Sequence, residues 1–215
     1  MFNALSAKSR SRKLQLFFDL LRPNQDDRVL DVGGECDPAG PSVQLSDNYP
    51  WKNRVTVANI DLEAMKRVRQ TYPDSDVLLA DACRLPFPDK SFDIGFSNAV
   101  IEHLYTRRNQ QQMAAEIQRV CKRWFLATPN RWYPYEFHAR LPFVSWLPAP
   151  LMHRVTRVVC YNHVHHRYMS GLRTDEIRLL TARELRRLFP RSRVIPLRIT
   201  FYPETLLAVG PAAAI

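Results

Sequence analysis

Short apolar runs alternate with amphipathic stretches along almost the whole chain. This alternation constrains the fold more than any other feature, because strand, helix, strand in succession builds an α/β domain with a largely parallel sheet. The apolar runs predict strands at Arg28–Val32, Arg54–Ile60, Asp76–Leu79, Phe92–Ser97, Trp124–Ala127, Val194–Ile199 and Thr205–Val209. Helices are predicted over 7–21, with Leu14, Phe17, Phe18 and Leu21 on one face and Pro23 as the stop, and at Leu62–Thr71, Arg107–Cys121 and Thr181–Leu188. Thr181 followed by Glu184 is a capping box, in which hydroxyl and carboxylate satisfy each other's free amides. Between Pro129 and Leu172 the alternation gives way to aromatic, proline and histidine residues. A stretch this long inside a compact domain is a lid or binding element, or carries short helices of its own. We assign 131–173 to an insertion or lid that covers an active site.

The chain has 215 residues, 46% apolar and 24% charged, which suits one globular domain spanning 1–215, with 1–24 an N-terminal helical segment. There is no uncharged apolar run long enough to span a bilayer and no recognisable secretory leader, so a cytoplasmic location is expected. Cys36, Cys83, Cys121 and Cys160 lack metal-finger spacing and read as reduced thiols. The net charge of +10 is unevenly placed: residues 119–200 carry +12 and the remainder −2. Any attraction for phosphates or anionic surfaces therefore belongs to the C-terminal part.

The stretch VLDVGGECDPAG runs from a strand into a glycine-containing turn, where backbone amides can approach a ligand. It lacks GxGxxG, since Gly33 and Gly34 are adjacent and the next glycine is Gly40. Asp31, Glu35 and Asp37 would repel a pyrophosphate and attract a cation, which favours S-adenosylmethionine over a nicotinamide dinucleotide. Asp61 closes the second strand and can accept hydrogen bonds from both ribose hydroxyls, although an Asp there also caps the following helix. Asp81, past the third strand, can accept the adenine amino hydrogens, and Ala82 offers an amide to a ring nitrogen.

The phrase DACRLPFPDKSFD, followed by a strand and then EHL, resembles the class I S-adenosylmethionine-dependent methyltransferases, specifically the group related to ubiquinone and menaquinone methyltransferases. The resemblance covers about 29–130 and resumes at DEIRLLTARELRRLFP and the last strand pair. It implies a Rossmann-like seven-stranded sheet, mostly parallel, with an antiparallel last strand and helices on both faces. It also implies that Asp31, Gly33, Asp61, Asp81 and Ala82 hold the cofactor, with Gly34, Leu62 and Ser97 beside them. Glu35 and Asp37 stand where that family commonly has further glycines, which implies a wider or differently bent turn.

His103, just after the fourth strand, is the candidate catalytic base, and packing or capping is its structural alternative. Asn130, Trp132, Tyr133, Tyr135 and His138 are the candidate acceptor contacts, with Phe137 among them; aromatics so spaced also build small satellite cores. The tract HVHH (His163, His165, His166) has no adjoining acid or cysteine, and no metal site is expected. The stretch LPFVSWLPAPLMHRVTRVV mixes large apolar residues with Arg154 and Arg157, as expected for peripheral contact with an anionic membrane or a lipid-linked acceptor. The expected activity is methyl transfer to a small-molecule, glycan or lipid-linked acceptor. Its rivals are an RNA methyltransferase, supported by the basic segment but lacking an appended RNA-binding module, and a weakly binding, methyltransferase-like partner protein.

Overall fold

The computed structural model describes residues 2–36, 44–162, 167–170 and 177–212, with side chains omitted for 2–6 and 149. Asp37, Gly40 and the HVHH tract lie outside the described residues. Seven strands form one sheet: β1 (Val29–Val32), β2 (Val55–Asn59), β3 (Asp76–Leu79), β4 (Phe92–Asn98), β5 (Cys121–Pro129), β6 (Arg193–Leu197) and β7 (Thr205–Gly210). The order across the sheet is β6-β7-β5-β4-β1-β2-β3. Pairing is parallel except along β7, which runs antiparallel to both β5 and β6. The expected α/β architecture, with a reversed last strand, is the one observed.

The helices are α1 (Phe2–Leu21), α2 (Leu45–Asn48), α3 (Leu62–Thr71), α4 (Arg107–Val120), α5 (Ala149–Val158) and α6 (Ala182–Leu188). Two apolar clusters cover the sheet. On one face Leu14, Phe17 and Leu21 of α1, Leu45 of α2, and Ala64, Met65 and Val68 of α3 pack on Val29, Val57, Phe96 and Phe125. On the other, Met113, Ile117 and Val120 of α4 and Leu185 of α6 pack on Leu30, Val32, Phe92 and Leu126. The central strands β1, β2, β4, β5 and β7 are buried along most of their length, while the edge strands β3 and β6 are partly exposed.

The main helices begin where side chains satisfy their first amides. Thr106 accepts from the Asn109 amide at 3.1 Å, and Asp61 accepts from Glu63 and Ala64. At α6 the Thr181 hydroxyl accepts from the Glu184 amide at 3.2 Å, while the Glu184 carboxylate accepts from the Thr181 amide at 2.9 Å. Thr181→Ala is expected to lower unfolding stability in urea by about 1 kcal/mol; an unchanged midpoint would show that this box does not hold α6.

Three local differences from the sequence reading have physical causes. Helix α4 passes into β5 without a loop, because Cys121 already has extended dihedrals, so the strand starts three residues earlier than its apolar run. Strand β6 stops at Leu197, and the Ile199 amide is taken by the Glu204 carboxylate at 3.0 Å. Helix α2, a single turn without a side-chain cap, was not predicted, whereas α5 is a short helix of the kind allowed for the stretch between Pro129 and Leu172. Two short hairpins, Tyr135–Glu136 with Leu141–Pro142 and Cys160–Asn162 with Arg167–Met169, flank α5. All four cysteines are free thiols. Among the described residues no helix is long and apolar enough to cross a membrane.

Candidate active site

Strands β1 and β4 are neighbours whose connections leave in opposite directions, and ligands of open α/β sheets bind at the carboxyl ends around such a point. A crevice of about 450 Å³ lies there. Its walls come from Gly33 and Glu35 after β1, Asn59 and Ile60 at the end of β2, Ala80, Asp81 and Ala82 after β3, and Asn98, Val100 and His103 after β4. Arg10 of α1 closes one side.

The two glycines are explained by close approach. Gly33 sits at φ +79°, and its amide donates to the Ala58 carbonyl at 2.7 Å, carrying the β1–β2 pairing into the turn. A Cβ on Gly33 would lie 2.3 Å from Val100 Cγ2, and one on Gly34 would lie 2.6 Å from Asp31 Oδ2. Asp31 is therefore packed behind the turn and does not line the crevice. Burial and the neighbouring Glu35 charge push its carboxyl up to about 7.

At the second turn the Asn59 amide nitrogen donates to the Gly34 carbonyl at 3.1 Å, and its oxygen accepts from the Asp61 amide at 3.0 Å. One residue thus ties the first two turns together; the sequence reading missed it, and the available signal was a lone amide closing an apolar strand. Asp61 Oδ1 accepts both helix amides, from Glu63 at 2.8 Å and Ala64 at 3.0 Å. The bond from Ala64, with that from Glu63, holds the carboxyl below its ordinary value. Capping uses Oδ1 alone, so the capping and ribose roles do not compete for the same oxygen. Asp81 Oδ1 accepts from the Cys83 amide at 2.8 Å, which orients the carboxylate at the crevice rim.

Of the residues expected to hold a cofactor, Gly33, Asp81 and Ala82 line the crevice, whereas Asp31, Gly34, Asp61 and Leu62 stand beside it. Ser97 does not reach it: the side chain is buried within β4, and the next residue, Asn98, opens to the crevice instead. Successive strand residues face opposite ways, so of this pair Asn98 and not Ser97 presents its side chain to the crevice. Asn98 Oδ1 accepts from the Lys13 ammonium at 2.6 Å, and burial lowers the Lys13 amine to about 8.

His103 ends a one-turn helix, Ile101–His103, and its ring lies edge-on to that of His138, 5.2 Å away. Burial, then the His138 charge, lowers His103 below the usual imidazole value. Burial works in the same direction on His138, but the hydrogen bond and charge of Glu136 and the charge of Glu102 overcome it and leave His138 raised. Glu102 is fully buried, and burial raises its carboxyl. One of its oxygens accepts from the Thr128 hydroxyl at 3.0 Å.

The expected acceptor residues separate. Asn130 is clasped by backbone, donating to the Pro203 carbonyl and accepting from the Trp132 amide. Tyr133 is buried, stacked on Phe137 at 5.3 Å, with its hydroxyl 3.1 Å from that of Thr200. Tyr135 packs edge-on to Phe137. The rings of Tyr133, Phe137 and Tyr135 pack on one another as a small aromatic cluster. Trp132 lines a separate apolar cleft of about 540 Å³ with Pro134, Phe143, Trp146, Phe201 and Tyr202. His138 alone of the set meets His103.

Residues 30–124 match the family model described as "Methyltransferase domain". A Mycobacterium tuberculosis protein named "Probable S-adenosylmethionine-dependent methyltransferase" is 33% identical over 78 residues, which are 36% of this chain and 28% of that protein. The chain thus matches less than a third of that relative's length. Among solved structures, the PH0226 protein from Pyrococcus horikoshii superposes with a TM-score of 0.61 at 17% identity, covering 94% of this chain and 89% of that one. The N-methyltransferase NodS from Bradyrhizobium japonicum gives 0.57 at 11% identity, covering 98% of each chain. The molecule has a Rossmann-like methyltransferase fold, and residues 30–124, less than half of the chain, are similar to the methyltransferase-domain family.

Proposed function

We propose that this chain transfers the methyl group of S-adenosylmethionine to a small-molecule, glycan or lipid-linked acceptor. One observation carries the reading: three carboxyl-end turns converge on one crevice, with Gly33 on its wall and the acids Glu35 and Asp81 at its rim. The acidic character of Asp61 and Asp81 suits a cationic nucleoside, and Gly33 and Gly34 let the first turn pack closely against Val100 and Asp31. When bound, S-adenosylmethionine supplies a methyl carbon on a positively charged sulfur; the bond to the acceptor forms as the carbon–sulfur bond breaks, and its electron pair stays on sulfur.

The residues of the chain would divide the work as follows. Asp61 offers Oδ2 to the ribose hydroxyls while Oδ1 keeps the cap. Asp81 and the Ala82 amide face the base. His103, held below its usual pKa, takes a proton from the acceptor, and alignment of the two reactants supplies most of the rate enhancement. The insertion 131–173 acts as a lid that brings His138 to this wall. The apolar cleft at Trp132 and Trp146 suits the hydrophobic body of an acceptor, and the exposed Leu151 and Val158 of α5, next to Arg154 and Arg157, suit an anionic bilayer surface.

The decisive experiment supplies methyl-labelled S-adenosylmethionine and the chain to lysate fractions separated into lipid, glycan, RNA and small-molecule pools. Label is expected in a lipid, glycan or small-molecule pool. Label confined to RNA would replace this acceptor class with the rival suggested by the +12 of residues 119–200. No label in any pool would contradict the activity.

A further inference from the structure

Glu102, His103 and His138 offer one ligand atom each, and the three atoms lie within 4.8 Å of one another. Two are neighbours on the one-turn helix after β4, and the third arrives from the insertion. We propose that these residues bind a divalent metal ion of the zinc and cobalt class, with an open coordination position toward the crevice.

Glu102 supplies the strongest argument. It is fully buried, its Oε2 is engaged by Thr128, and its Oε1 has no hydrogen-bond partner among the described residues. A buried carboxylate oxygen left in that state is costly, and buried charges are normally paired or coordinate metals. One Glu102 carboxylate oxygen lies within 4.8 Å of a ring nitrogen of each histidine, so a cation between the three residues neutralises the buried carboxylate. His138 is prepared for this role: its Nδ1 lies 2.7 Å from Glu136 Oε1, and the same carboxylate accepts the Ala139 amide at 2.5 Å. That contact directs the other ring nitrogen away from Glu136, in the carboxylate–histidine–metal arrangement that orients ligands in metal sites. His103 lies on the crevice wall, so the fourth position of a tetrahedral ion opens onto the space where an acceptor would sit.

Two histidines and a glutamate with an open position form a known catalytic zinc donor set. At bond lengths of about 2.0–2.2 Å the ligand atoms draw together to roughly 3.3–3.5 Å, which side-chain rotations of about an ångström achieve. The ion would also fasten the insertion to the helix after β4. The use of the site rests on the methyltransferase reading: an acceptor hydroxyl on the open position loses its proton more readily. With His103 serving as a ligand in place of the base proposed above, the proton passes to solvent water through the crevice, and the oxygen pair it leaves forms the bond to the methyl carbon as the carbon–sulfur bond breaks, its electrons staying on sulfur. The acceptor class this implies is a hydroxyl compound.

The test titrates chelator-stripped full-length chain with Co²⁺, read by calorimetry and by the visible bands of a four- or five-coordinate ion. One ion per chain is expected, with a rise in melting temperature. His138→Ala should abolish the bands, and Glu136→Gln should weaken binding about 10–100-fold. Replacing His163, His165 and His166 with alanine should leave the bands intact. No bands with Co²⁺, or bands that survive His138→Ala and vanish with the triple replacement, would overturn the site. Should His138→Ala fail to fold, the Glu136→Gln affinity and the triple replacement decide by the same criteria. Parallel titration with S-adenosylmethionine separates the two readings: a chain that binds the nucleoside and no Co²⁺ refutes the metal site alone.

Discussion

Gly33→Ala is expected to abolish nucleoside binding and to destabilise the chain by about 2–5 kcal/mol, the sum of two penalties of different origin. The backbone at φ +79° lies in the left-handed region, where a side chain costs roughly 1–2 kcal/mol. The new Cβ would also lie 2.3 Å from Val100 Cγ2, and overpacking a tight contact costs about 1–3 kcal/mol more. The double variant Gly33→Ala with Val100→Ala separates the two. Removing the valine methyls makes room for the Cβ, so part of the loss should return, while the backbone penalty remains. Urea unfolding of wild type, the single variants and the double variant reads both quantities. An additive double variant would mean that the glycine is not required by Val100.

The second large effect is a pH dependence. In the folded chain burial and Glu35 hold the Asp31 carboxyl near pH 7, whereas the unfolded chain returns it toward 3.8. The folded state therefore keeps a proton that the unfolded state has released. For an acid raised in this way, the contribution to stability is fully present below about pH 4 and is lost as pH rises to about 7. A shift of roughly three units corresponds to about 4 kcal/mol. Asp31→Asn cannot ionise, so the difference in unfolding stability between variant and wild type should grow in the variant's favour by that order between pH 4 and 8. Because the comparison is between two chains at each pH, other titrating groups such as Glu102 cancel to first order. Parallel pH profiles would contradict the placement of Asp31 as a buried carboxyl pushed up to about 7.

The sheet was legible because its strands are short, apolar and bounded by turns, and the Thr181–Glu184 pair marks the start of α6 in the sequence itself. Period and capping are local properties, and local properties survive in sequence. The turn at Gly33 was legible for the same reason. What the sequence did not disclose depends on the relative placement of distant segments. Asp31 and Gly34 are three residues apart, yet only the folded turn shows the carboxylate filling the space against the glycine. Asn59 binds a carbonyl 25 residues away, and Lys13 an amide 85 residues away. His138 was chosen as an acceptor contact from its position beyond β5; its pairing with Glu136 and its approach to His103 and Glu102 depend on how the insertion folds back. Ser97 shows the limit of strand reading, since a one-residue choice selects the opposite face. Tyr133 illustrates a different limit: an aromatic near a site is as well suited to a satellite core as to a substrate wall, and contacts decide between them.

The central claim is that acids at the mouth of the sheet receive a cationic nucleoside. Calorimetric titration of the full chain with S-adenosylmethionine tests it directly, beside the variant Asp61→Asn, which keeps the helix cap because Asn serves there as well as Asp. The account predicts one nucleoside per chain, bound about tenfold more weakly by the variant at an unchanged melting temperature, since a charge-assisted hydrogen bond is worth about 1.5–3 kcal/mol and its neutral replacement roughly half. A folded chain that gives no heat with millimolar nucleoside, or a variant that binds as tightly as wild type, would contradict it.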